Sequence, residues 1–173
     1  TFAMSLLSEI ADRLGYFDDA EFLLESAVKL NPNDGELRMK FAMILRKKQK
    51  FSKTMEQINI LCEKFPENLS YQAQKASEVM QNGEHKEAID LFDEILRKNP
   101  YNFSILTSKG HAQKTLGQTD LAIKSYQTAY NVKQDHGEAF FSLAKLKTYS
   151  FTKNELNNMR EKHKRVELTE RYK

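Results

Sequence analysis

The sequence predicts an all-α chain of repeated helical hairpins, closed by one last helix. Three observations carry that prediction. The three prolines, Pro32, Pro66 and Pro100, stand 34 residues apart. Gly15, Gly83 and Gly117 fall on the same register. The composition favours helix: 29% of the 173 residues are charged, 40% are apolar and only six are glycine, so few positions force a turn.

A fixed self-similarity of this length decides the architecture before any single residue does. The first unit reads TFAMSLLSEIADRLGYFDDAEFLLESAVKLNPND, and its landmarks recur down the chain. Ser8, Ala42, Ala76, Gly110 and Ala144 form a column of small residues in each first helix, where a close approach to the second helix is needed. Glycine follows at 15, 83 and 117, where it permits a left-handed backbone at the end of that helix. Asp18 and Asp120 come next, placed to accept free backbone N–H groups of the second helix. Phe17 and Phe51 share a position at the start of that helix, and Ala20, Ala88 and Ala122 share one just after it. Further columns join Leu24, Ile58, Phe92 and Tyr126, and Ala27, Leu61, Ile95 and Ala129, at helical spacing. Proline ends each unit because it cannot continue a helix. Unit two departs from the pattern at Gln49 and Thr54, and unit four has Gln134 in place of proline; these departures are expected to loosen two turns.

This pattern resembles the tetratricopeptide repeat, a 34-residue helix–turn–helix with small, aromatic and proline landmarks at these offsets. The resemblance divides residues 1–148 into repeats 1–34, 35–68, 69–102 and 103–136 and a partial unit 137–148, followed by a turn and C-terminal helix or linker over 149–173. It implies a right-handed superhelix of about four and a half repeats, since units that cannot bury their apolar faces alone must stack. In the last segment Thr152 and Glu155 make a capping box, so a capping helix should begin near Lys153 and turn Leu156, Met159 and Val166 towards the repeats. The stretch EAFFSLAKLKTYSFTKNEL, residues 138–156, is also similar to the segment that ends the repeat array in bacterial tetratricopeptide-repeat sulfotransferases. That similarity implies an alternative role as the accessory region of an enzyme using 3′-phosphoadenylyl sulfate. No glycine-rich strand–loop–helix that could cradle such a nucleotide occurs in these residues.

Charge and chemistry narrow the function further. The net charge of +3 resides in residues 153–173, so the body of the chain is balanced and does not call for nucleic acid, which asks for a basic face. No apolar run reaches the roughly 18 residues of a membrane span. The N-terminus has no signal-peptide pattern, and a start without methionine suggests a piece of a longer protein. A single cysteine, Cys62, excludes an internal disulfide, and the cytoplasm is the expected compartment. The sequons at Asn68 and Asn102 fall where helices should begin and read as caps. His85, His111, His136 and His163 sit in different segments, without ligand spacing, so no metal site is expected. Asp18–Asp19 and Asp90 with Glu94 read as capping and surface carboxylates, and Cys62 as a small core residue. No catalytic residue and no cofactor is expected, and the chain is not read as an enzyme.

What remains is a groove. The resemblance implies that positions 2, 5, 6, 9, 12 and 13 of each unit line it. These give Met39, Lys40, Met43, Arg46 and Lys47, then Gln74, Ser77 and Gln81 with Ala73 and Met80, and finally His111 and Lys114 with Thr107, Ser108 and Thr115. Arg46, Lys47 and Lys114 offer charged donors and the methionines adaptable apolar contact, which would suit a peptide carrying an acidic group and apolar anchors. Ser5 and Glu9 in unit one do not match the carboxylate clamp of some family members. The expected partner is a protein or peptide, and a homodimer is among the expected assemblies because repeat arrays also pack face to face or end to end.

Overall fold

The computed structural model describes residues 1–133 and 137–170, with side chains through residue 161. Gln134, His136 and the side chains of His163 and Val166 lie outside the described residues. The described chain is helical and contains no strand. Its helices are α1 (Phe2–Arg13), α2 (Phe17–Leu30), α3 (Gly35–Lys47), α4 (Phe51–Lys64) and α5 (Leu69–Gln81). They continue with α6 (His85–Lys98), α7 (Phe103–Thr115), α8 (Thr119–Val132), α9 (Gly137–Lys145) and α10 (Lys153–Glu170). The helices gather into two compact units, Thr1–Gly83 and a second that begins at Glu84. Within each, the main packing joins helices adjacent in the chain, such as α1 with α2, α3 with α4, and α7 with α8.

The turns follow from the punctuation residues. Gly15, Gly83 and Gly117 have φ of 81°, 93° and 74°, the left-handed region that ends a helix most cheaply with glycine. Gln49 takes the same conformation at φ 57°. Its turn keeps the matching backbone bonds, with Gln49 N–H donating to Arg46 O at 2.9 Å and Lys50 N–H to Leu45 O at 2.9 Å, so this turn is not loosened. The prolines act through the residue before them. Asn31, Phe65 and Asn99 sit at φ −136°, −130° and −137°, because the proline ring disfavours helical geometry there. Lys133 adopts φ −132° without a proline after it.

Capping differs between first and second helices. Asp34, Asn68 and Asn102 accept from the backbone N–H groups of Leu37, of Ser70 and Tyr71, and of Ile105, each contact stabilising its helix by roughly 1 kcal/mol. The second helices have no such side-chain cap. Asp18 therefore does not cap α2 as the sequence suggested; its carboxylate is held by Lys48, whose ammonium Glu21 also grips. Asp120 lies in the first turn of α8, where its charge favours the helix dipole, but makes no cap hydrogen bond.

The core is the set of repeat columns. Leu24, Ile58, Phe92 and Tyr126 are buried, as are Ala27, Leu61, Ile95 and Ala129. In the small-residue column, Ser8, Ala42 and Ala76 are buried against their second helices. Gly110 is closer still: a Cβ there would lie 2.5 Å from the Tyr126 ring. Ala144 breaks the series and is exposed. Helix α9 also ends at Lys145, with Lys147 in a left-handed conformation at φ 55°, a few residues before the expected Thr148.

The capping box of the last helix forms as expected. Thr152 N–H donates to Glu155 at 2.7 Å, and Glu155 N–H donates to the Thr152 hydroxyl at 3.2 Å. What faces inward differs from the sequence reading. Leu156 is exposed and Met159 half-buried, whereas Glu155 is buried. The hydroxyls of Tyr130 and Tyr149 donate to its carboxylate at 2.9 and 2.6 Å. Three aromatic rings, Tyr130, Phe140 and Phe151, pack beside it and with Tyr149 form an aromatic cluster that rewards this arrangement. An amphipathic stripe cannot reveal that its neighbour is the better-partnered residue.

Candidate functional site

Helix α3 carries five of the predicted groove residues, and each has a definite place. Met39, Lys40, Met43 and Arg46 are half-buried and Lys47 is exposed. The three cations are already engaged. Lys40 Nζ donates to Glu9 on α1 at 2.6 Å and to the Ser5 hydroxyl at 3.1 Å, with Glu36 at 3.4 Å. The hydrogen bond to Glu9 raises the Lys40 pKa, and the same contact lowers that of Glu9. Lys47 bridges both oxygens of Asp12 at 2.5 and 2.7 Å. Arg46 Nε lies 3.2 Å from the carboxylate of Glu78 on α5.

Glu78 was not foreseen. It is 3% exposed, and Gln74 donates to the same oxygen at 2.8 Å, so a buried carboxylate is satisfied by one guanidinium and one amide. The signal was in the columns: Glu78 occupies the position of Ile10, Ile44 and Ala112. Ser77 returns its hydroxyl to the Ala73 carbonyl at 2.9 Å, and Gln81 is exposed. The structure thus gathers Met39, Lys40, Met43, Arg46, Lys47, Gln74, Ser77 and Gln81 in the first unit. His111 and Lys114 belong to the second. There His111 Nδ1 lies 2.9 Å from the Tyr126 hydroxyl and Nε2 lies 3.2 Å from Glu138, while Lys114 is exposed.

Two hollows adjoin the α1–α3 wall. The larger, about 360 Å³, is bounded by Phe2, Ser5, Leu6 and Glu9 of α1 and by Asp34, Glu36, Leu37 and Lys40 around the start of α3. The smaller, about 130 Å³, lies beside Ser8, Asp12, Met43 and Ile44. Phe2 and Leu6 supply apolar surface that sequence reasoning passed over, although both occupy groove positions of the first unit.

Among the described residues, no group of three or more His, Cys, Asp or Glu side chains converges as metal ligands would. Cys62 is half-buried, and burial pushes its thiol pKa up, away from the reactive thiolate. Among the described residues no helix is long and apolar enough to cross a membrane.

Comparison with known proteins agrees with the repeat reading. The family model for the tetratricopeptide repeat matches residues 3–34 and 103–136. No curated protein matches. Among solved structures, a crystal structure of MamA superposes with a TM-score of 0.74 at 16% identity, covering 95% of this chain and 97% of that one. MamA residues 41 to the end from Desulfovibrio magneticus RS-1 gives 0.71 at 15% identity, covering 99% and 95%. YrrB, described as a TPR protein with an unusual peptide-binding site, gives 0.68 at 15% identity over 78% of this chain and 70% of that one. At these identities the likeness speaks for the fold alone. The family model thus places tetratricopeptide repeats at two of the expected units, and the chain shares the helical-repeat fold of these structures.

Proposed function

We propose that the chain is a protein-interaction module that seats a peptide segment along the α1–α3 wall of its first unit. The observation that carries this reading is the hollow of about 360 Å³ between α1 and α3, with Phe2, Leu6 and Leu37 as apolar lining and Glu9, Asp34 and Glu36 around it against one lysine, Lys40. Lys40, Arg46 and Lys47 of α3 are committed to carboxylates of their own chain, so an acidic ligand would have to compete for them. The favoured ligand therefore has an apolar anchor and a neutral or basic flank, instead of the acidic group the sequence alone suggested. The repeat architecture supports a binding role, and a structural relative is described as having a peptide-binding site.

Fluorescence polarisation against a defined peptide panel tests this. Apolar peptides with basic flanks should bind, and Leu6→Glu should weaken them about tenfold or more, the equivalent of roughly 1.4 kcal/mol. A panel in which acidic peptides bind best, unaffected by Leu6→Glu, would remove the reading. The sulfotransferase-accessory role is a separate reading resting on residues 138–156; a phosphate-binding strand–loop–helix encoded after Lys173 would be its test.

A further inference from the structure

Glu78 is a buried carboxylate of which the chain uses one oxygen. Arg46 and Gln74 both approach Oε1, and among the described residues no hydrogen-bond donor reaches Oε2. A buried ion pair of this kind returns little stability, because desolvation cancels most of the attraction. Glu78 also lines a hollow of about 170 Å³ between the start of α4 and the end of α5, together with Phe51, Ser52, Met55 and Asn82. Phe51 and Ser52 are exposed at its edge and Met55 is half-buried. The hollow thus joins a carboxylate with spare acceptor capacity to an aromatic ring, a thioether and a hydroxyl.

The repeat itself says what fits there. Moved back by 34 residues, the five lining positions are Phe17, Asp18, Glu21, Ile44 and Lys48. At that earlier place the ammonium of Lys48, from the end of α3, donates to both Asp18 and Glu21 at the start of α2. One period later Asn82 stands in the lysine's position, shorter and uncharged, while the carboxylate has moved across to Glu78. The later site has kept an acid and lost its own lysine. We propose that the α4–α5 hollow receives a lysine side chain from a protein partner, its ammonium against Glu78 Oε2 and the Ser52 hydroxyl, its methylenes along Phe51 and Met55. Arginine fits less well, because a guanidinium fork calls for both carboxylate oxygens and Oε1 is taken. Arg46 offsets part of the Glu78 charge, so one such lysine binds weakly, with a dissociation constant on the order of millimolar. The inference takes from the proposed function only that the partner is a protein; the α1–α3 hollow shares none of these lining residues.

The test is an NMR titration of the Met55 methyl group with Nα-acetyl-lysine methylamide at constant ionic strength. Its Nε-acetylated analogue, which has the same stem without the charge, is the control. The lysine compound should give saturating shifts and the neutral analogue none. Glu78→Gln would strip Arg46 of its counter-charge, so Asn82→Lys, at an exposed position, is the decisive variant: it should fill the site from within, as Lys48 does one repeat earlier, and abolish binding. Phe51→Leu should weaken binding about two- to fivefold through the lost cation–π contact. Leu6→Glu, which probes the α1–α3 hollow, should leave the titration unchanged, so each reading can fail without the other. Absence of saturating shifts, equal shifts with the neutral analogue, or binding that persists in Asn82→Lys overturns the inference.

Discussion

Gln49 holds a left-handed backbone at the repeat position where three other units use glycine. A side chain beyond hydrogen crowds the following carbonyl in that region, so the turn stores a local cost. Gln49→Gly is expected to stabilise the protein by about 0.5–1 kcal/mol, and Gly83→Ala to destabilise it by about 1 kcal/mol. Urea unfolding of both variants checks the pair, with midpoints moving in opposite directions. Gly110 makes a different demand, because its limit is the neighbour and not the torsion. An added Cβ would stand 2.5 Å from Cε1 of the Tyr126 ring, which is fully buried, so Gly110→Ala should cost about 1–3 kcal/mol. A thermal midpoint that did not fall would mean that α7 and α8 can part without loss.

At the scale of elements, the attachment of α10 turns on Glu155. Burial alone would raise its pKa, but the hydrogen bonds from Tyr149, the Thr152 backbone and Tyr130 outweigh burial and lower it from 4.5. In return, burial and the Glu155 carboxylate push Tyr130 up to about 12. A carboxyl whose pKa is depressed on folding contributes stability that is complete above its unfolded value and is lost as pH falls through the folded one. The α9–α10 segment should therefore loosen as pH falls below about 4.5, and hydrogen exchange at Phe140–Leu146 should report it. Glu155→Gln should loosen the same amides already at pH 7 and flatten their pH response. If the variant kept the wild-type profile, the two tyrosines would not be what fixes this helix. The Lys48 clamp works in the same way across α2 and α3: Asp18 and Glu21 raise the Lys48 pKa, and Glu21 binds Lys50 as well at 2.6 Å.

For the molecule as a whole, the fold was legible because its punctuation is covalent. Proline constrains the residue before it and glycine opens the left-handed region, and both act without knowledge of what packs nearby. The state of the groove was harder to read, because whether a lysine is free depends on a carboxylate in the preceding repeat. Even so, Glu9 with Lys40 and Asp12 with Lys47 stand 31 and 35 residues apart, close to one period, so a search for opposite charges at that offset would have found them. Leu156 was misplaced because helical spacing ranks residues by hydrophobicity, and two tyrosine hydroxyls made a carboxylate the better buried group. The packing of each helix mainly on its chain neighbours has a kinetic consequence. Little sequence separates the partners of most contacts, so each hairpin closes a short loop before its packing is gained. Chains with such low contact order fold in microseconds to milliseconds, and stopped-flow refolding should be largely complete within the instrument's dead time of a few milliseconds.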